Sequence, residues 1–195
     1  MKLLNLYEII FPCILFVLAI YHVLKKEYKI MWSVALVFVL SFLPVSLKAV
    51  FQIGIDVFSI LIYFIFLFMA LYLGSSLCFY DKYKWWDRSI HFLSGIGFVG
   101  FGIAIAGISS GIVKFIILLF GFTFSVTIHV FWEVLEYISD CLSHGNAQRW
   151  QKVHASNNHV SEKAIQPAGL VDTMIDTIYC IAGSGLAIIV WWFII

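Results

Sequence analysis

The sequence predicts an all-α fold: a polytopic membrane helix bundle with six transmembrane helices. Three observations predict it. Of 195 residues, 63% are hydrophobic and only 12% are charged, where a soluble domain carries about 25% charged residues. The apolar residues fall in six runs, each near the roughly 20 residues that a helix needs to cross the hydrocarbon core. The few Lys and Arg residues stand in short clusters between those runs. That is loop placement, and it speaks for membrane lipids and against nucleic acid as partners.

The first run covers roughly 7–24, with Pro12 near its start. No small-x-small cleavage site follows it, so it reads as a retained span rather than a signal peptide. The second covers 30–47, with Pro44 near its end, and the third 57–77. The fourth covers about 89–108, the fifth 112–139 and the sixth 168–194. The fifth is long, so its last turns are expected to project into the interface. The polar connection from about 140 to 167 carries His144, His154 and His159. It reads as a lid or a solvated loop, since the spacing of its histidines matches no closed zinc motif. Cys13, Cys78, Cys141 and Cys180 form no CxxC pair and read as small apolar fillers.

The chain is expected to be a single transmembrane domain, 1–195, with two unlike halves. Residues 1–80 form a bulky scaffold of three spans with almost no ionisable group at depth. Residues 81–195 carry nearly all the glycine and the buried charge. Gly95-Ile96-Gly97-Phe98-Val99-Gly100 matches G-x-G-x-x-G, but no strand precedes it, so it reads as helix packing. Gly97, Gly100, Ala104 and Gly107 are expected to form one small-residue face, with Gly183, Ser184 and Gly185 in a similar part on the sixth span.

Basic residues set the orientation. The odd-numbered loops hold Lys25, Lys26, Lys29, Lys82, Lys84, Arg88, Arg149, Lys152 and Lys163, and the opposite side holds Lys2, Lys48 and Lys114. This distribution predicts odd loops in the cytoplasm and both termini outside. Trp85-Trp86 and Trp191-Trp192 fall where interfacial belts are expected.

On that frame three polar stripes meet. His129, Glu133, Glu136 and Asp140 are spaced by four, three and four, which is one helical face. Asp87, His91 and Ser94 share a face on the fourth span, and Asp172 and Asp176 are one turn apart on the sixth. At 1.5 Å per residue, His91 lies about 8 Å in from Trp86, Glu133 roughly 9 Å in from Ser139, and the two aspartates about 6–12 Å in from Ala168. All are at similar depth in one leaflet, where unpaired charge is strongly disfavoured.

Four explanations fit such a cluster. A divalent metal ion (Mg²⁺, Mn²⁺ or Zn²⁺) would suit oxygen donors with one or two imidazoles and would cancel carboxylate repulsion. Proton or cation coupling in a transporter uses such relays. A carboxyl group could act as acid or base without metal. A polar network could simply pin the helices. In the metal reading His91, Glu133, Glu136, Asp172 and Asp176 are ligands. Asp87 and His129 are then catalytic candidates that support the ligands or move protons. No Glu-x-x-His or His-Glu-x-x-His helix is present, which excludes the di-iron bundle and zinc-protease patterns. Ser94, Thr173, Thr177 and Cys180 sit in no nucleophile elbow.

Asp87-x3-His91-Phe92 with Gly95, then Trp132-Glu133-x-x-Glu136-Tyr137, then Asp172-Thr173-x-x-Asp176 resemble, in order, the motifs of a family of small bacterial membrane proteins of uncharacterised function. That family is grouped near the VanZ-like (teicoplanin-resistance) membrane proteins. The resemblance covers about 80–185. Tyr80-Asp81-Lys82 also resembles the family's segment before the histidine, so either Asp81 or Asp87 is the equivalent acid. It implies a bacterial inner-membrane protein working on envelope lipids or lipid-linked precursors. The expected function is a metal-dependent site on a lipid or lipid-linked substrate, near the cytoplasmic face. The alternatives are a coupled transporter and a non-enzymatic resistance or partner-binding protein.

Overall fold

The structure, a computed structural model, describes residues 5–107, 113–143 and 168–195. Among them every regular element is helical: α1 (Leu6–Leu24), α2 (Tyr28–Leu40), α3 (Leu43–Phe51), α4 (Val57–Leu67), a π-helix (Phe68–Ser76), α5 (Phe79–Lys82), α6 (Trp86–Ala106), α7 (Lys114–Ser143) and α8 (Ala168–Ile194). They give six helices long and apolar enough to cross a membrane: Leu6–Leu24, Tyr28–Phe51, Val57–Ser76, Trp86–Ala106, Lys114–Ser139 and Gly169–Ile194. The loop histidines His144, His154 and His159, and the basic residues Arg149, Lys152 and Lys163, lie outside the described residues, as does the side chain of Asp140.

Local chemistry sets the element boundaries. Pro44 has no N–H and cannot continue a helix through its own position, so the second span breaks at Ser41–Phe42 and restarts with the proline in its first turn. The carbonyl that loses its helical donor is that of Leu40, four residues back. The Tyr63 hydroxyl donates to it at 3.0 Å. Asp56 caps α4, its Oδ1 accepting from Ser59 N at 2.9 Å, which satisfies one of the free N–H groups of a helix start. α1 ends with Lys26 in the left-handed region, φ 60°. There Glu27 N donates to His22 O and Lys26 N to Val23 O, both at 2.9 Å. That is a Schellman closure, in a residue other than the glycine that favours it.

The sequence reads the third span as one apolar run, 57–77. Its second half is the wider π-helix, in which Ser76 Oγ reaches the Leu71 carbonyl, five residues back, at 3.3 Å.

The fourth span is the hub. Its apolar window is 56% buried, against 22% to 39% for the other five. It packs on α4, α7 and α8, α7 packs on α8, and α1 and α2 pair beside the third span. Leu24, Leu142 and Phe193 are three-quarters or more exposed, as residues facing lipid would be. The two tryptophan pairs split: Trp85 and Trp192 face outward, whereas Trp86 and Trp191 are buried. Trp86 donates Nε1–H to the Met69 carbonyl at 3.4 Å.

Candidate metal centre

Three helices bring five buried ionisable side chains together at one end of the bundle. α6 supplies Asp87 and His91, with Oδ1 3.5 Å from His91 Nε2. α8 supplies Asp176, whose Oδ2 lies 3.7 Å from the same nitrogen. α7 supplies His129 and Glu133, with His129 Nε2 3.6 Å from Glu133 Oε1. The two imidazoles meet edge to face at 81°, with their Nδ1 atoms 3.3 Å apart. All five residues are at most 9% exposed. Two overlapping groups, His91–His129–Glu133 and Asp87–His91–Asp176, each bring their ligand atoms within 4.8 Å of one another, so either could hold a metal ion. Hard carboxylate oxygen with imidazole nitrogen is a donor set for Mg²⁺, Mn²⁺ or Zn²⁺. No fully formed hydrogen bond reaches either carboxylate oxygen of Glu133, although the Thr173 side chain stands close enough to lend a weaker one.

The other two expected ligands stand apart from these groups. Glu136 is half-buried and accepts from Trp132 Nε1 on its own helix at 2.7 Å. Asp172 is half-buried one turn before Asp176 and belongs to neither group. Among the hydroxyls in these helices, Ser94 donates to the His91 carbonyl (2.8 Å) and Thr177 to the Thr173 carbonyl (2.7 Å), as membrane-buried Ser and Thr commonly do.

The close approach of α6 and α8 makes the cluster possible. A Cβ on Gly95 would collide with the Cys180 carbonyl, and one on Gly183 with the Phe92 carbonyl. Backbone contact there sets His91 and Asp176 side by side, one to two turns away. Gly97 and Gly100 of the expected small-residue face do share one neighbour, the third span, while the other glycines of α6 face elsewhere. Gly97 and Gly100 abut Ile62 and Ser59 of the third span, Gly102 abuts Gly121 of α7, and Gly185 has nothing within 4 Å. Beneath the cluster, Ser184 donates to Ser125 Oγ (3.0 Å) and Ser125 to the Gly95 carbonyl (3.0 Å). Beyond that layer Val99, Ile103, Ile117, Leu118, Ala187 and Trp191 close the three-helix interface with apolar side chains.

The first three spans also carry buried ionisable groups, contrary to expectation: Glu8 and His22 are 5% and 4% exposed. His22 Nδ1 lies 2.7 Å from Glu27 Oε2 and its Nε2 3.2 Å from the Tyr72 hydroxyl. The Schellman turn folds Glu27 back over His22, and the π-helix carries Tyr72. The sequence signal for the first pair was a histidine in the last turn of an apolar helix with a carboxylate five residues on. No signal pointed to Tyr72.

A six-span helical bundle with an ionisable cluster inside one end defines a polytopic membrane protein with an intramembrane polar site. The chain belongs to the family described as "Predicted membrane protein (DUF2238)", whose model matches residues 7–195. No curated protein and no solved structure matches it.

Proposed function

We propose that the cluster holds a divalent cation and that the protein is a metal-dependent bacterial inner-membrane enzyme acting on a lipid or lipid-linked envelope substrate. The observation that carries the reading is Glu133: 7% exposed, with no fully formed hydrogen bond to either oxygen and only a looser approach by the Thr173 side chain and by His129 Nε2, 3.6 Å away. A buried carboxylate in that state is destabilising unless a cation meets it. The neighbouring groups are two imidazoles and two more carboxylates, and a dication accounts for this company. Glu136 and Asp172 lie near enough along their helices to join when an ion or substrate is bound.

Two features support a substrate that enters from the membrane on one side. The cluster lies at one end of the bundle, and the apolar layer from Val99 to Trp191 opposes a path to the other face. At the cluster's end Arg88 is exposed, its guanidinium 6.0 Å from the Tyr179 ring, a position suited to an anionic headgroup or lipid-linked phosphate. The excess of basic residues in the odd-numbered loops supports a cytoplasmic location for that end. The resemblance of the three short motifs to a family grouped near the VanZ-like membrane proteins would point to an envelope substrate.

The test is elemental analysis of the purified chain, read beside thermal unfolding with Mg²⁺, Mn²⁺ and Zn²⁺. Wild type should carry or gain an ion and unfold at a higher temperature with it. Glu133→Ala and Asp176→Ala should reach the membrane folded but lose the ion. A wild-type protein with no metal, and no stabilisation by any of the three, overturns the reading.

A further inference from the structure

At the end of the bundle away from the ionisable cluster, where α1 and α4 begin and α8 ends, two apolar grooves flank α4. One, about 470 Å³, runs along α1 from Leu6 to Ile14 and along the third span from Leu61 to Met69. Phe11 and Phe64, stacked with centroids 4.4 Å apart, line it. The other, about 520 Å³, lies between the start of α4 and α8, from Leu186 to Ile194, with Ile96 of α6. Both volumes fall within the roughly 300–1,000 Å³ of small-molecule sites. Eight residues of helix rise about 12 Å, so each groove runs well into the apolar layer. The first groove has one side chain that carries oxygen, Tyr7, and so has the second, Asp56. The two stand close enough for the Asp56 charge to act on the Tyr7 hydroxyl. That hydroxyl accepts from Asn5 Nδ2 at 2.7 Å, which leaves its own proton to donate. Asp56 Oδ1 caps α4 through Ser59 N, but Oδ2 is buried and has no hydrogen-bond partner among the described residues. A carboxylate met on one oxygen only, in apolar surroundings, is stabilised by any cationic donor that reaches it.

We infer that this end of the bundle seats a two-chain membrane lipid astride α4, one acyl chain in each groove, with a primary-ammonium headgroup on Asp56. Asp56 is half-buried on its groove wall, within reach of a headgroup there. The ammonium supplies the N–H donors that the carboxylate lacks, and the Tyr7 hydroxyl is placed to donate to the lipid phosphate. A choline headgroup carries the charge but no N–H. A glycerol headgroup brings net negative charge to a carboxylate. The site is separate from the ionisable cluster, since the apolar layer that includes Val99, Ile103 and Leu118 lies between them. The inference therefore does not rest on the metal reading.

The test uses the full-length protein, delipidated in detergent. It is titrated with three phospholipids of identical palmitoyl-oleoyl chains and ethanolamine, choline or glycerol headgroups. Native mass spectrometry counts the bound lipid, and thermal unfolding reads its effect. One ethanolamine lipid per chain should be retained, bound about tenfold more tightly than either of the others. This comparison needs no variant. Asp56→Asn keeps an equally good helix cap and should abolish the preference. Ile10→Trp and Val190→Trp each fill one groove, and each should weaken binding of the ethanolamine lipid. Equal retention of the three lipids, or a preference that survives Asp56→Asn, means annular lipid only and overturns the headgroup assignment. Wild-type binding in either tryptophan variant overturns the seating astride α4. No arm involves a divalent cation, so failure here is distinct from failure of the metal reading.

Discussion

Glu133 is the residue whose surroundings are most informative, because the fold buries it without giving either oxygen a well-formed hydrogen bond. Such a carboxylate destabilises the metal-free protein by about 1–3 kcal/mol. Glu133→Gln keeps the shape and removes the charge. In chelator the variant should therefore unfold a few degrees above wild type, given about 2–4 °C per kcal/mol for a chain of this size. In excess Mn²⁺ the order should reverse, because only wild type is stabilised by the ion. Thermal unfolding under both conditions reads this directly, and an order that does not reverse means that no ion reaches Glu133. Much of this neighbourhood was legible in the sequence. Four-residue spacing placed Asp87 with His91 and His129 with Glu133, and the equal depths joined them to Asp176. Glu136 shares the stripe by angle, but Trp132 on its own helix offers an indole N–H at 2.7 Å. Periodicity gives direction, not the partner a side chain takes. The pairing of His22 with Tyr72 was illegible for a different reason: the two residues lie 50 apart, and the π-helix shifts the phase by which a helical face would be read.

At the scale of elements, the spans were legible because twenty apolar residues have few other ways to fold. Their interruptions were less so. Pro44 marked a boundary in the second span, but the Tyr63 hydroxyl that satisfies the freed Leu40 carbonyl comes from the third span. Tyr63→Phe should cost about 1 kcal/mol, and clearly less in a Pro44→Ala background that restores a donor to Leu40. A double-mutant cycle on unfolding measures the coupling, and additive effects would show that the hydroxyl serves no such role. The α6–α8 crossing gives a second contrast. Gly183→Ala places a methyl group against the Phe92 carbonyl and should cost about 1–3 kcal/mol. It should also weaken metal binding by pushing Asp176 from His91. Gly185→Ala meets nothing within 4 Å and should be neutral, or stabilising by up to about 1 kcal/mol from helix propensity. Sequence grouped these glycines by size alone. Which neighbour each one meets depends on the rotation of the whole helix, and no local pattern encodes that.

At the scale of the whole molecule, function depends on which way the bundle sits. The cluster lies toward the end formed by the start of α6, the last turns of α7 and the start of α8, and the third span also ends there. Basic residues predict that this end faces the cytoplasm, and Cys78, exposed just after the third span, reports on it. Cys141 is exposed near the end of α7 and belongs to the same end, so both thiols should respond alike. A membrane-impermeant maleimide should modify them in inside-out vesicles and spare them in intact cells. Alkaline phosphatase fused after Ile195 should be active, and a green fluorescent protein fused there dark, if the C-terminus lies outside. Labelling in intact cells together with a fluorescent C-terminal fusion would place the cluster on the outer leaflet. The ion chemistry would survive that result, because it depends only on the side chains that meet. The substrate would not. Under the proposed function, a site facing inward would meet lipid-linked intermediates on the side where cytoplasmic precursors are attached, and one facing outward would meet them after export. The orientation measurement therefore decides which lipid-linked phosphates are worth offering to the purified protein.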